Sequence, residues 1–132
     1  MALWSFHCYK PRAQSKSDLE KWRNGLTTRA KAKFYVTLRH LADQPQSGWE
    51  KPPKSPYAKR LGNGIWELRL FLDNVQHRPL GFFGPDQRMF CILLIAEEKG
   101  GEFIPKDALK QAIRRMEKVK ADRRLIHEYQ IL

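Results

Sequence analysis

The chain predicts an α+β fold: a small antiparallel sheet with an N-terminal helical hairpin and a C-terminal helix. Three observations predict it. Apolar residues recur at helical spacing from Leu19 to Leu41 and again from Leu109 to Val119. Between them, residues 64–96 read as strands, the last of them apolar almost throughout. Turn residues at Asn63-Gly64, Asp73-Asn74 and Gly84-Pro85-Asp86 punctuate that stretch. At 132 residues the chain is expected to form one domain over 1–132, with a core that needs no disulfide or metal.

Residues 2–9 read as the first strand. Trp4, Phe6 and Cys8 point one way, and Leu3, Ser5, His7 and Tyr9 the other. Pro11 ends it. Ser17-x-x-Glu20 is a capping-box pattern that opens a helix carrying Leu19, Trp22 and Leu26, with Gly25 as its stop. A second helix starts near Thr28, and its apolar stripe is Ala30, Phe34, Leu38 and Leu41. The short connection suggests an αα-hairpin. Residues 43–57 hold four prolines and Gly48, and read as a loop in which Trp49 is the most exposed tryptophan.

Strands over roughly 64–72, 75–83 and 88–96 then form an antiparallel meander. The last should be central or covered on both faces. Lys99-Gly100-Gly101 reads as a break, and Pro105 as the first turn of a helix. Leu109, Ala112, Ile113, Met116 and Val119 make the core stripe of that helix, and its lysines and arginines face out. The tail from Asp122 either extends the helix or packs back.

Lysine and arginine number 25 against 14 carboxylates, a balance of 25 − 14 = +11. That field favours polyanionic partners: nucleic acid, a ribosomal surface, anionic lipid or an acidic protein. Cys8 and Cys91 sit in apolar runs and read as buried free thiols of a reducing cytosol. The N-terminus lacks a signal-peptide pattern, and the longest apolar run, Met89–Ala96, is too short to span a bilayer. The expectation is a cytoplasmic protein with no membrane contact.

The basic strand segments carry the chemistry. Arg69 and Arg78 fall on neighbouring predicted strands, where they could converge on one phosphate. The bland alternative is a surface arginine paired with Glu67 across alternate positions or with a carboxylate on the next strand, and it holds for Arg78 as for Arg69. His7, His40, His77 and His127 are scattered without ligand spacing, so no metal is expected. No phosphate-binding glycine loop or other cofactor motif is present either.

Lys59-Arg60-Leu61-x-x-Gly64-Ile65-Trp66-Glu67-Leu68-Arg69 resembles the K-K-L-x-x-G-L-Y-E-L-R segment of the phage-derived HigB-like toxins, in the RelE/ParE superfamily of type II toxin–antitoxin systems. His77-Arg78-Pro79-Leu80 resembles that family's Y-R-x-x-Y strand, and Met89–Ala96 its apolar strand. Lys99 falls on the first lysine of its K-K-x-x-K-T-P stretch, and Ala112-Ile113-Arg114-Arg115 resembles its A-x-x-R helix. The other two lysines of that stretch are Gly100 and Phe103 here, and the family's histidine position is apolar near Ile95.

The resemblance implies a small twisted antiparallel sheet packed on helices. It implies a toxin that cleaves mRNA on the ribosome with basic residues and no cofactor. Arg69, Arg78 and Lys99 would then be catalytic. Lys54, Lys59 and Arg60 would bind RNA. A cognate antitoxin would neutralise the toxin, and operator DNA would be bound only through that complex. His127 and Tyr129 could supply a proton carrier or a stacking ring, although core packing suits Tyr129 better. Two other outcomes stay open: a ParE-like toxin that inhibits gyrase without cleaving RNA, and a degenerate toxin-like domain that only binds.

Overall fold

A computed structural model describes residues 2–12 and 16–131. It is an α+β fold with helices on both faces of a mostly antiparallel sheet. Strand β1 (Ser5–Tyr9) leads to helices α1 (Asp18–Asn24) and α2 (Thr28–Ala42). A short helix, α3 (Gln46–Trp49), precedes strands β2 (Ala58–Gly62), β3 (Ile65–Leu68), β4 (Leu70–Leu72), β5 (Val75–Phe83), β6 (Met89–Lys99) and β7 (Glu102–Ile104). Helix α4 (Ala108–Ala121), a 3₁₀ turn (Arg123–Leu125) and strand β8 (Ile126–Tyr129) complete the chain.

The sheet order is β2-β3-β5-β6-β1-β8, with β4 on β5 and β7 on β6. The meander is antiparallel as its turns predict. Both Asp73 and Asn74 take positive φ, at 52° and 64°, as the tight hairpin turn requires. The exception to antiparallel pairing is β1, which lies parallel to β6. The helical hairpin carries the chain from β1 across the sheet to its far edge at β2.

Helix α1 opens on the predicted capping box. The Ser17 hydroxyl accepts the Glu20 N–H, and the Glu20 carboxylate accepts the Ser17 N–H. Gly25 ends the helix in a right-handed conformation, φ −83°, so its stop does not use glycine's freedom at positive φ. Thr27 caps α2, whose residues Ala30, Phe34, Leu38 and Leu41 are all buried.

One face of the sheet packs Phe6, Cys8, Trp66, Leu68, Phe90 and Ile92 against α1 and α2. The other packs Ile65, Leu80, Phe82, Leu93, Leu94 and Ala96 against α4. A bulge in β6 makes this possible. Leu80 pairs with Leu94 but Gly81 pairs with Ile92, leaving Leu93 as the extra residue. Ile92 therefore faces α1 and α2, while Leu94 faces α4. Gly81 is forced at this point: a Cβ there would lie 2.4 Å from the Cys91 carbonyl oxygen.

Several expectations are corrected. The segment 43–57 is not free of regular structure, because it holds α3. Trp49 is fully buried, not exposed: its indole N–H donates to the Leu41 carbonyl at 3.0 Å, and its ring packs on Phe6, Phe83 and Phe90. Lys99-Gly100-Gly101 is no break but the turn of a β6–β7 hairpin, with both glycines at positive φ. Helix α4 begins at Ala108, not at Pro105, which follows β7 directly. The first strand starts at Ser5, and the strand over 64–72 is interrupted at Arg69. The tail packs back, and β8 pairs antiparallel with β1. Both cysteines are buried free thiols as expected.

Candidate functional site

Strand register assembles the site. Lys59 pairs with Glu67, Glu67 with Leu80, Arg78 with Ala96, and Gln76 with Glu98. Partners across a ladder share a face, and residues two apart share it too. Lys59, Glu67, Gln76, Arg78 and Glu98 therefore point to the face that α4 partly covers, where Leu80 and Ala96 belong to its core.

The two arginines meet on one carboxylate oxygen. Arg69 Nη1 donates to Glu67 Oε2 at 2.5 Å, and Arg78 Nε lies 3.6 Å from the same oxygen. Arg78 is 3% exposed and each of its three nitrogens has an acceptor. Its Nε reaches Glu98 Oε1 at 3.2 Å, Nη1 the His77 carbonyl at 3.0 Å, and Nη2 Gln76 Oε1 at 2.5 Å. Glu67 is also buried, whereas the Arg69 side chain keeps 27% of its surface in solvent. The four charges sum to zero: two guanidinium groups against two carboxylates. Arg69 is the member that a ligand can reach.

The other sequence candidates divide. Lys59 is exposed and shares this face. Lys99 follows Glu98, so alternation turns it to the face opposite Arg78. Arg60 also faces away, stacked 5.1 Å from the Trp66 ring and paired with Glu50 at 3.0 Å. Lys54 is exposed in the segment before β2. His127 and Tyr129 lie on β8, at the other edge of the sheet, beside a groove of about 560 Å³ that Lys10, Arg23 and Tyr35 also line. Tyr129 is half-buried, and burial raises its phenol above the ordinary range.

Sequence reasoning missed how completely Arg78 is enclosed. The Glu67–Arg69 pair was legible in their spacing of two on a strand. Gln76 was legible in the same way, two residues before Arg78 on β5, but Glu98 was not, because its place depends on the register of β5 against β6. His77 was also missed: it lies on the opposite face and accepts the Trp22 indole N–H at Nδ1, 3.1 Å away. Burial lowers its pKa, with Glu97 opposing. Arg115 binds Asp18 at 2.7 Å and the Leu93 carbonyl at 2.8 Å, tying α4 to α1 and β6. Among the described residues, no group of three or more His, Cys, Asp or Glu could hold a metal ion. No helix among them is long and apolar enough to cross a membrane.

Residues 21–117, from α1 almost to the end of α4, match the family model described as phage-derived protein Gp49-like (DUF891). The chain belongs to the Gp49-like family. No curated protein and no solved structure matches it. The Gp49-like match takes in β2 to β7, and so every member of the arginine–glutamate cluster.

Proposed function

We propose that this Gp49-like protein is a toxin of a type II toxin–antitoxin system, and that it cleaves mRNA on the ribosome without a metal. Membership of a toxin-like family supports the first part. The observation that carries the second is the convergence of Arg69 and Arg78 on one oxygen of Glu67. The carboxylate on Arg69 stands in for the phosphate oxygen that this guanidinium would take, while Arg78 holds the pair in place.

The reaction would be attack of a 2′-hydroxyl on the adjacent phosphorus, which restricts it to RNA. Charge grows on the non-bridging oxygens as the phosphorane forms. Arg69 would stabilise that charge through its fork of donors, and a preorganised cation is most effective where charge develops. Arg78 is a positioning residue in this scheme, because its own donors hold the cluster together. Lys59 would hold the RNA backbone beside it, with Lys54 and Arg60 as further basic contacts. Lys99 would need the β6–β7 hairpin to shift before it could act on the same phosphate. Such a toxin would act in the cytoplasm as one domain, 1–132. An antitoxin would cover the basic surface, and operator DNA would be reached through that complex.

A second reading has one specific support. Both arginines are already neutralised by Glu67 and Glu98. This favours a domain that binds its target without cutting RNA, as a ParE-like gyrase inhibitor or a binding-only relative would.

Mapping transcript 5′ ends within minutes of induction, beside Arg69→Ala, separates the readings. New ends inside reading frames that vanish in the variant support cleavage. Growth arrest with intact messages and DNA damage points to the ParE-like target. No arrest and no new ends leaves a binding domain.

A further inference from the structure

We infer that Glu67 is the internal counter-anion of Arg69, and that it sets how strongly this site takes a phosphodiester. The inference rests on the RNA-directed reading above. Glu67 occupies the position between the arginines: its Oε2 faces Arg69 Nη1 at 2.5 Å and Arg78 Nε at 3.6 Å. The two arginines are not equivalent towards it. Arg78 has a second carboxylate, Glu98, as well as Gln76 and a backbone carbonyl. Among the described residues the Arg69 side chain pairs with Glu67 alone, and it is the solvent-facing member of the pair.

An incoming phosphate must therefore take Arg69 away from Glu67. A group already paired in the free protein gives up one partner to gain another, so its net gain on binding RNA is small. Lys59 is exposed and has no carboxylate partner among the described residues. It binds a phosphate without losing one. The exchange at Arg69 becomes favourable only where the phosphate carries more charge than in the ground state, as in a phosphorane. Glu67 thus reserves Arg69 for the transition state and keeps it out of ground-state binding.

The test is a double-mutant cycle on binding, with a labelled single-stranded RNA oligonucleotide as the probe. Glu67→Gln keeps the side chain's size and one acceptor oxygen but removes its charge. It should tighten binding by roughly three- to tenfold, a modest change on the affinity scale. Glu102→Gln, an exposed carboxylate on β7, controls for net charge and should change affinity less. The gain must disappear in the Glu67→Gln/Arg69→Ala double variant. A gain of equal size in the double variant, or in Glu102→Gln, would overturn the inference. Thermal melting checks that each variant is folded.

If Glu67→Gln does not fold, two variants in the native background still decide. Arg69→Ala should weaken ground-state RNA binding less than Lys59→Ala does. The reverse order would show that Arg69 is free to bind, and would overturn the inference. Because the readout is affinity, it stays separate from the question of cleavage. A protein that binds RNA as described but leaves transcripts whole would uphold Glu67 as the counter-anion of Arg69 and refute the nuclease.

Discussion

Arg69 and Arg78 read alike in the sequence, yet they occupy opposite ends of one ion-paired cluster. Removing Arg78 takes the guanidinium partner from Glu98 and leaves the buried Glu67 with Arg69, so Arg78→Ala should cost about 3 kcal/mol of stability. Arg69 is partly solvated, and Arg69→Ala should cost about 1 kcal/mol or less. Urea unfolding of the two variants measures the difference. Equal losses would mean that Arg69 is as structural as Arg78. The thiols give a second check at this scale. Burial raises both Cys8 and Cys91 above the ordinary thiol range. A thiol reagent should label neither in the native protein and both after unfolding.

At the scale of elements, the helical hairpin and the β5–β6 pair set the geometry of the cluster. The Ser17 hydroxyl is buried, caps α1 and accepts from the Cys8 thiol at 3.4 Å. Ser17→Ala should destabilise by about 1 kcal/mol in chemical denaturation. Gly81 holds the bulge that turns Leu94 and Ala96 towards α4, and with them Arg78. Gly81→Ala would press a methyl group into the Cys91 carbonyl and the Phe90 ring, with a loss of about 1–3 kcal/mol. A wild-type unfolding curve for that variant would show that β5 and β6 can separate without cost. The outer edge of β2 carries Lys59 and Arg60, which discourage strand addition there.

For the molecule as a whole, pH and salt are the informative variables. Burial lowers the pKa of His7 and of His77 below the usual 6.5, against the pull of Glu128 and Glu97. The unfolded chain therefore takes up protons at higher pH than the folded one. Stability contributed by the two neutral imidazoles is complete above about pH 6.5 and falls as the pH drops towards their folded values. The Tm should decline as buffers are taken from neutral to mildly acidic. Replacing both histidines with glutamine should flatten that part of the profile, and an unchanged decline would assign it to the carboxylates. A charge of +11 should also make association with an acidic peptide, as the proposed antitoxin would present, strongly salt-dependent. A Kd that hardly moves between low and high salt would exclude charge-led docking.

The sequence by itself determined the first strand, the helical hairpin, the meander and the last helix, in that order, but not α3, β7 or β8. The capping box at Ser17, the stripe of α2, the turns at Asn63-Gly64 and Asp73-Asn74, and the buried thiols are local or periodic signals that act over a few residues. It also placed Glu67 beside Arg69, since a spacing of two on a strand is a same-face spacing. Tertiary structure decided the rest. Trp49 is buried because rings distant in sequence surround it, which a proline-rich segment does not reveal. Lys99 turns away from Arg78 because β6 carries its pairing on to a hairpin with β7. Arg78 is enclosed because the register of β5 on β6 brings Glu98 to its guanidinium, beside Gln76 of its own strand. Register is a relation between strands set by packing, so the side chains that neutralise the arginines could be named only once the sheet was assembled.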